Sequence, residues 1–180
     1  MTAAAPASPA RPLASVDMDE GHPVRQATAA DAPTLGRLLW AFNTEYETPT
    51  DPAQVLADRF ARMLQGRDAF ALLAGEDDGF ALVTLRPAIW FDGPIAQLEE
   101  LYVGPERRSQ GIGSALLSAA RHLVEERGAP EINIIVDESD RASQRFYERH
   151  GFATSSGGVR DRMLFYAGPS EETAEIPVVR

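Results

Sequence analysis

The stretch LEELYVGPERRSQGIGSALL, from Leu98 to Leu117, constrains this chain more than any other. An apolar and acidic segment ends at Val103, a turn containing Gly104 and Pro105 follows, and Arg108-Ser109-Gln110-Gly111-Ile112-Gly113 opens directly into a helical pattern. A strand, a glycine turn and a helix start in that order form an anion-binding device. The first backbone N–H groups of a helix lack intrahelical acceptors, and its dipole favours negative charge there.

The glycines have a physical reason to be where they are. A side chain at Gly111 or Gly113 would keep phosphate oxygens away from the backbone. Arg108 adds a planar fork suited to phosphate. Two rival phosphate motifs fail. A dinucleotide fingerprint needs a third glycine where Leu116 stands, and a P-loop needs a lysine, which this chain lacks.

At 180 residues and 44% hydrophobic content the chain has enough apolar material for one ordinary core. No apolar run reaches the length of a membrane span. The first residues, MTAAAPASPARPLAS, lack the basic start and apolar stretch of a secretory signal. The absence of cysteine removes disulfides, thiolate metal sites and a cysteine nucleophile, and fits a cytoplasmic protein. The three histidines, His22, His122 and His150, are scattered, so no metal site is expected. A net charge of −10 disfavours nucleic acid as a partner and favours cationic small molecules. All seventeen basic residues are arginine, so no lysine can form a Schiff base or an acyl-enzyme.

Residues 1–22, rich in Ala, Pro and Ser and then acidic, read as a disordered tail, and 168–180 as a flexible acidic one. Between them, 23–167 reads as one domain. Short strands are expected at Val24–Thr28 and Ile132–Val136, a hairpin at Ala69–Glu76 and Phe80–Leu85 around Asp77-Asp78-Gly79, a strand at Ile95–Val103 and a last strand at Met163–Tyr166. Helices are expected after a cap at Thr28 or Asp31, behind Pro52, from Gly111 to Arg127 and from Asp140 to His150. This order predicts an α/β domain with a central mixed sheet and helices on both faces.

Three segments together make a family likeness. The strand Leu98–Val103, the loop Arg108-x-x-Gly111-x-Gly113, and Arg145-Phe146-Tyr147-Glu148-Arg149-His150-Gly151-Phe152 occur in order and at normal spacing. The chain resembles the GCN5-related N-acetyltransferases (GNAT) over roughly Val24 to Tyr166. The resemblance implies a mixed, mostly antiparallel sheet with a splayed parallel strand pair. It implies acetyl-CoA as donor, its pyrophosphate on the backbone of Arg108, Ser109, Gln110, Gly111, Ile112, Gly113 and Ser114, and its pantetheine arm pairing with backbone near Leu101, Tyr102 and Val103. One of those N–H groups would polarise the thioester carbonyl.

Tyr147 matches the family's frequent general acid for the departing thiolate. A carboxylate acting through water would take the proton from the ammonium of the acceptor, and Glu99 and Glu100 are the candidates. On a regular strand they point to opposite faces, and Glu99 would share a face with Leu101 and Val103, which favours Glu99. Asp140 stands where many relatives have Asn. The resemblance makes Asp140 a CoA-contact position, but an ionised Asp cannot donate to a cofactor carbonyl, which favours a helix cap. The family's acceptor site lies near the loop after the first helix, where Trp40, Phe42, Glu45, Tyr46, Glu47 and Asp51 fall, with Trp90 and Phe91 on a second loop. Carboxylates among aromatics suit a cationic amine.

The resulting expectation is transfer of an acetyl group to a primary amine, on a small molecule or a peptide, by direct attack in a ternary complex. Two alternatives stay open: a non-catalytic acyl-CoA-binding sensor, and an acyltransferase with another acyl donor or an alcohol acceptor. The family often dimerises, which leaves a homodimer open.

Overall fold

A computed structural model describes residues 22–90, 92–154 and 165–166. Residues 1–21 and 168–180 of the expected tails, Phe91, and residues 163–164 of the expected last strand lie outside the described residues; Phe165 and Tyr166 are described and form no strand. The chain divides into two compact units, Met1–Asn133 and Ile134–Arg180.

In chain order the elements are β1 (Val24–Gln26), α1 (Ala32–Glu45), α2 (Ala53–Met63), β2 (Ala69–Ala74), β3 (Gly79–Arg86), β4 (Ile95–Val103), α3 (Ile112–Glu126), β5 (Ile132–Ile134) and α4 (Arg141–Arg149). One-turn 3₁₀ helices at Ala29–Asp31 and Pro105–Arg107 precede α1 and α3. The sheet order is β1-β2-β3-β4-β5. The first three pairings are antiparallel, and β4 and β5, linked through α3, form the parallel pair.

Every residue of β2 is buried, as expected of a strand covered on both faces. On one face Ala71, Leu73, Phe80, Leu82 and Tyr102 pack with Leu35 and Leu38 of α1 and Phe60 of α2. The other face meets α3, whose Leu116, Leu117, Ala120 and Leu123 are buried. The expectation of helices on both faces holds.

Local chemistry explains the element starts. The Asp31 carboxylate accepts from Thr28 N–H at 2.8 Å and is gripped by both terminal nitrogens of Arg25. The Arg25 guanidinium holds that carboxyl well below the usual carboxylate range. So Thr28 and Asp31 brace the 3₁₀ turn Ala29–Asp31 that leads into α1, through a capping box. Helix α1 then runs to Glu45, which moves Glu45 from the expected loop onto the helix end. Helices α1 and α2 approach closely at Gly36, where an added Cβ would lie 2.5 Å from Ala53 O and 2.7 Å from Ala57 N.

Candidate active site

Strand β4 is the centre of the site, and it is not regular. Leu82 of β3 faces Glu100 and Val83 faces Leu98, so the pairing skips Glu99. This β-bulge places two residues of β4 against one step of β3. Its consequence is a change of face. Ala96 and Leu98 lie opposite Leu85 and Val83, whereas Glu100 and Tyr102 lie opposite Leu82 and Phe80, on the face covered by α1 and α2.

The bulge also corrects the expectation that Glu99 and Glu100 point to opposite faces. Glu99 accepts a hydrogen bond from Thr84 Oγ1 and another from Gln97 Nε2 at 3.0 Å. Thr84 lies two residues from Leu82 on unbroken β3 and faces Gln97. The Glu99 carboxylate therefore sits on the Leu82 face, the one that carries Glu100, and not with Leu101 and Val103. Two carboxylates share one face.

They differ in environment. Glu99 is exposed and holds two donors, while Glu100 is half-buried. Burial, and then the charge of Glu99, push the Glu100 carboxyl up to about 7. A carboxyl that titrates there can accept a proton near neutral pH.

Beyond Val103 the chain turns through Pro105–Arg107 and enters α3. Gly111 is the N-cap, at φ +90°, a conformation that glycine adopts without strain. No side chain caps α3, so the N–H groups of Ile112 and Gly113 open the helix without a side-chain acceptor of its own. Ser109 also has a positive φ, of 61°. The turn is braced by Gln110 Nε2 donating to Glu106 O at 3.1 Å, by Arg107 bound to Asp78 at 2.8 Å, and by the His22 ring against Gln110 O. This donor set is suited to an anion such as a pyrophosphate.

Arg108 is committed to contacts within the protein. Its Nη1 and Nη2 donate to the two carboxylate oxygens of Glu45 at 2.6 and 2.7 Å, and its Nε donates to Val103 O at 3.0 Å. Its guanidinium lies 5.8 Å from the Tyr102 ring centre. The pairing lowers the Glu45 carboxyl below its usual range. Tyr102 presents backbone on the expected donor strand while its side chain is buried among Phe42 and Phe80.

Near the end of α1, Tyr46 packs edge-on to Phe42 at 5.2 Å, and Phe42 lies 5.2 Å from Tyr102. Trp40 and Tyr46 are largely exposed there, and Asp51 is paired with Arg59. Trp90, on the other loop, is exposed. Residues Thr84 and Gln97, which hold Glu99, were not singled out in the sequence. Cross-strand register alone reveals them.

The second unit carries Tyr147. Within α4 its ring meets Phe146 at 5.1 Å, and beyond the helix Phe152 at 5.7 Å. Asp140 is the N-cap, its carboxylate accepting from Ala142 N–H at 3.1 Å and Ser143 N–H at 3.0 Å. Burial pushes its carboxyl up, but the bonds from Ser143 and Ala142 outweigh that and lower it. The cap read from the sequence is present. Among the described residues no cluster of His, Asp and Glu could hold a metal ion, and no helix is long and apolar enough to cross a membrane.

A mixed, mostly antiparallel sheet with one parallel pair, whose strand β4 bulges beside a half-buried carboxyl and leads into the start of α3, defines the fold class as α/β. The chain belongs to the acetyltransferase (GNAT) family, whose model matches residues 33–152. An aminoglycoside N(6')-acetyltransferase type 1 of Klebsiella aerogenes is 32% identical over 137 residues, covering 73% of this chain and 87% of its own. A mycothiol acetyltransferase of Thermobispora bispora is 39% identical over 61 residues, 34% of this chain and 21% of its own. Among solved structures, a proposed acetyltransferase from Arthrobacter sp. FB24 superposes with a TM-score of 0.77 at 44% identity, over 81% of this chain and 94% of the other. An aminoglycoside acetyltransferase from an uncultured soil sample, in complex with sisomicin, has a TM-score of 0.67 at 19% identity, over 85% and 99%. That last likeness is one of fold.

Proposed function

We propose that this protein transfers an acetyl group from acetyl-CoA to a primary amine by direct attack in a ternary complex, in the cytoplasm. The observation that carries the reading is Glu100, a half-buried carboxyl pushed up to about 7 on the strand that leads into the glycine turn. Acetyl-CoA supplies an activated acetyl thioester. The N–H groups of Ile112 and Gly113, with the backbone of Arg108, Ser109, Gln110, Gly111 and Ser114, would hold its pyrophosphate. The backbone of Leu101, Tyr102 and Val103 would take its pantetheine arm, since β5 stops after three residues while β4 continues to Val103.

Glu100, as carboxylate, removes a proton from the acceptor ammonium through water, which frees the amine lone pair. Tyr147 would return a proton to the departing sulfur. Holding both reactants together supplies a further part of the acceleration, through orientation. Carboxylates on the α1 and α2 face, with Phe42, Tyr46 and Trp40 near the end of α1, suit a cationic acceptor. The aminoglycosides named for the Klebsiella relative are of that chemical class.

The test is release of free CoA thiol in the presence of acetyl-CoA and a panel of aminoglycosides, polyamines, amino acids and peptides. Thiol release with a cationic amine, reduced at least tenfold in Glu100→Gln, is the expected result. Tight acetyl-CoA binding with no thiol release for any amine would replace the enzyme by a sensor of acyl-CoA.

A further inference from the structure

We infer that Glu99 is a positioning residue for the proposed reaction: pinned by Thr84 and Gln97, it keeps a fixed negative charge beside Glu100 and so sets the pH at which Glu100 can act as a base. The inference rests on the reading of Glu100 as the base.

Three observations carry it. First, the bulge brings the two carboxylates onto one face, which regular β pairing of adjacent residues forbids. Second, Glu99 is held rather than free. Thr84 Oγ1 donates to its Oε1 and Gln97 Nε2 donates to its Oε2 at 3.0 Å, so both oxygens are occupied by neutral donors. Neutral donors fix a carboxylate without cancelling its charge, whereas an arginine would have neutralised it. Third, the pinning groups come from a neighbouring strand and from the far side of the bulge. The position of the charge is therefore part of the sheet and not of a mobile side chain.

Two other carboxylates near this face are matched by arginines. Glu45 is bound to Arg108, and Asp51 at the start of α2 is bound to Arg59. Arg86 stands at the far end of β3, opposite Ile95, and Tyr102 stands two residues beyond Glu100 with its phenol pushed up by burial. Of these, none adds to burial in raising the Glu100 carboxyl; Glu99 does. A fixed neighbouring anion makes ionisation of Glu100 harder, which keeps it protonated to higher pH and makes it a stronger base once ionised.

The experiment is a titration of the full-length protein labelled with glutamate carrying ¹³C at the side-chain carboxyl, with Glu100→Gln used to assign the Glu100 resonance. In the unsubstituted protein the Glu100 midpoint is expected near 7. In Glu99→Gln it should fall by at least about half a pH unit. In Thr84→Val, which keeps shape and loses the hydroxyl, the fall should be smaller and in the same direction, because the freed carboxylate can swing toward water. Thermal unfolding confirms that each variant is folded, and the two independent substitutions guard against loss of either. A Glu100 midpoint that is unchanged in Glu99→Gln, or one that already lies in the ordinary carboxylate range in the unsubstituted protein, overturns the inference. The titration requires no turnover, so it separates this inference from the enzymatic reading. That reading fails on its own if Glu100→Gln transfers acetyl at the unsubstituted rate.

Discussion

Arg108 and Glu45, sixty-three residues apart in sequence, are joined by two parallel hydrogen bonds of 2.6 and 2.7 Å. The pair ties the turn before α3 to the last residue of α1. The same guanidinium also donates to Val103 O, at the end of the strand that carries Glu100. One side chain thus links the expected donor turn, the central strand and the helix that leads to the expected acceptor loop.

Both partners are about one-third exposed on their side chains, at 39% and 29%, so water screens the attraction. Glu45→Gln should cost about 0.5–1 kcal/mol and Arg108→Ala about 1–2 kcal/mol, the latter also losing the Val103 bond. The Glu45 carboxyl is lowered from 4.5, so its contribution is present above that value and fades as pH falls through the depressed one. Acetyl-CoA should respond in opposite directions. Phosphate oxygens would compete with Glu45 for Arg108, so Glu45→Gln tightens donor binding several-fold and Arg108→Ala weakens it about tenfold. Calorimetric titration reads both. If the two variants bind as the unsubstituted protein does, Arg108 takes no part in donor binding.

Glu100 gives a pH signature with two readouts. Activity, as kcat/KM, should rise through an apparent pKa of about 7, and that limb should vanish in Glu100→Gln. Stability runs the other way. The folded carboxyl titrates above its ordinary 4.5, so the neutral form is favoured by folding. Its contribution is complete below about 4.5 and is lost as pH rises through about 7. Differential scanning calorimetry from pH 5.5 to 8.5 should show Tm falling with pH by a few degrees more in the unsubstituted protein than in Glu100→Gln. Parallel curves would mean that Glu100 is not buried as an acid.

Much of this was legible in the sequence, for identifiable reasons. The strand Ile95–Val103 and the hairpin around Asp77-Asp78-Gly79 match expectation because turn residues bound apolar runs there. Helix α3 lies within the expected Gly111–Arg127, its apolar positions at strict helical spacing. The bulge was missed, and with it the common face of Glu99 and Glu100. Its only trace in the sequence is that Leu98 and Leu101, three residues apart, both belong to the face of Val83 and Ala81. An odd spacing between residues of one face requires an extra residue in the strand. The Arg108–Glu45 pair was not legible at all, since it depends on how α1 lies against the turn before α3.

Close packing of α1 on α2 makes Gly36 a sharp probe of the first unit. Alanine is normally favoured over glycine within a helix by up to about 1 kcal/mol. Here its methyl would fall 2.5 Å from Ala53 O and 2.9 Å from Ala57 Cα, atoms of the partner backbone that cannot rotate away. Overpacking should win, so Gly36→Ala should lower stability by about 1–3 kcal/mol. The end of α1 carries Glu45, so a shift of α1 that loosens its pair with Arg108 should also tighten acetyl-CoA binding, in the direction of Glu45→Gln. Chemical denaturation and calorimetry on one variant test both, and a gain in stability would mean that the two helices are less tightly apposed.

Tyr147→Phe should separate donor binding from chemistry. Its ring is packed on Phe146 and Phe152, so removal of the hydroxyl in Tyr147→Phe leaves an apolar ring in the same place. Acetyl-CoA affinity should change less than about twofold, because the proposed donor contacts are made by the backbone of β4 and the turn before α3. Turnover should fall by about 10²-fold, the usual worth of a positioned general acid. The fall should depend on the leaving group: a donor whose thiol is more acidic than CoA needs less help in departing, so the variant should lose less rate with it. Rates with acetyl-CoA and with an acetylated thiol of lower pKa, measured at fixed acceptor, read this out. Equal losses with both donors would assign Tyr147 to packing, and no loss with either would remove it from the mechanism.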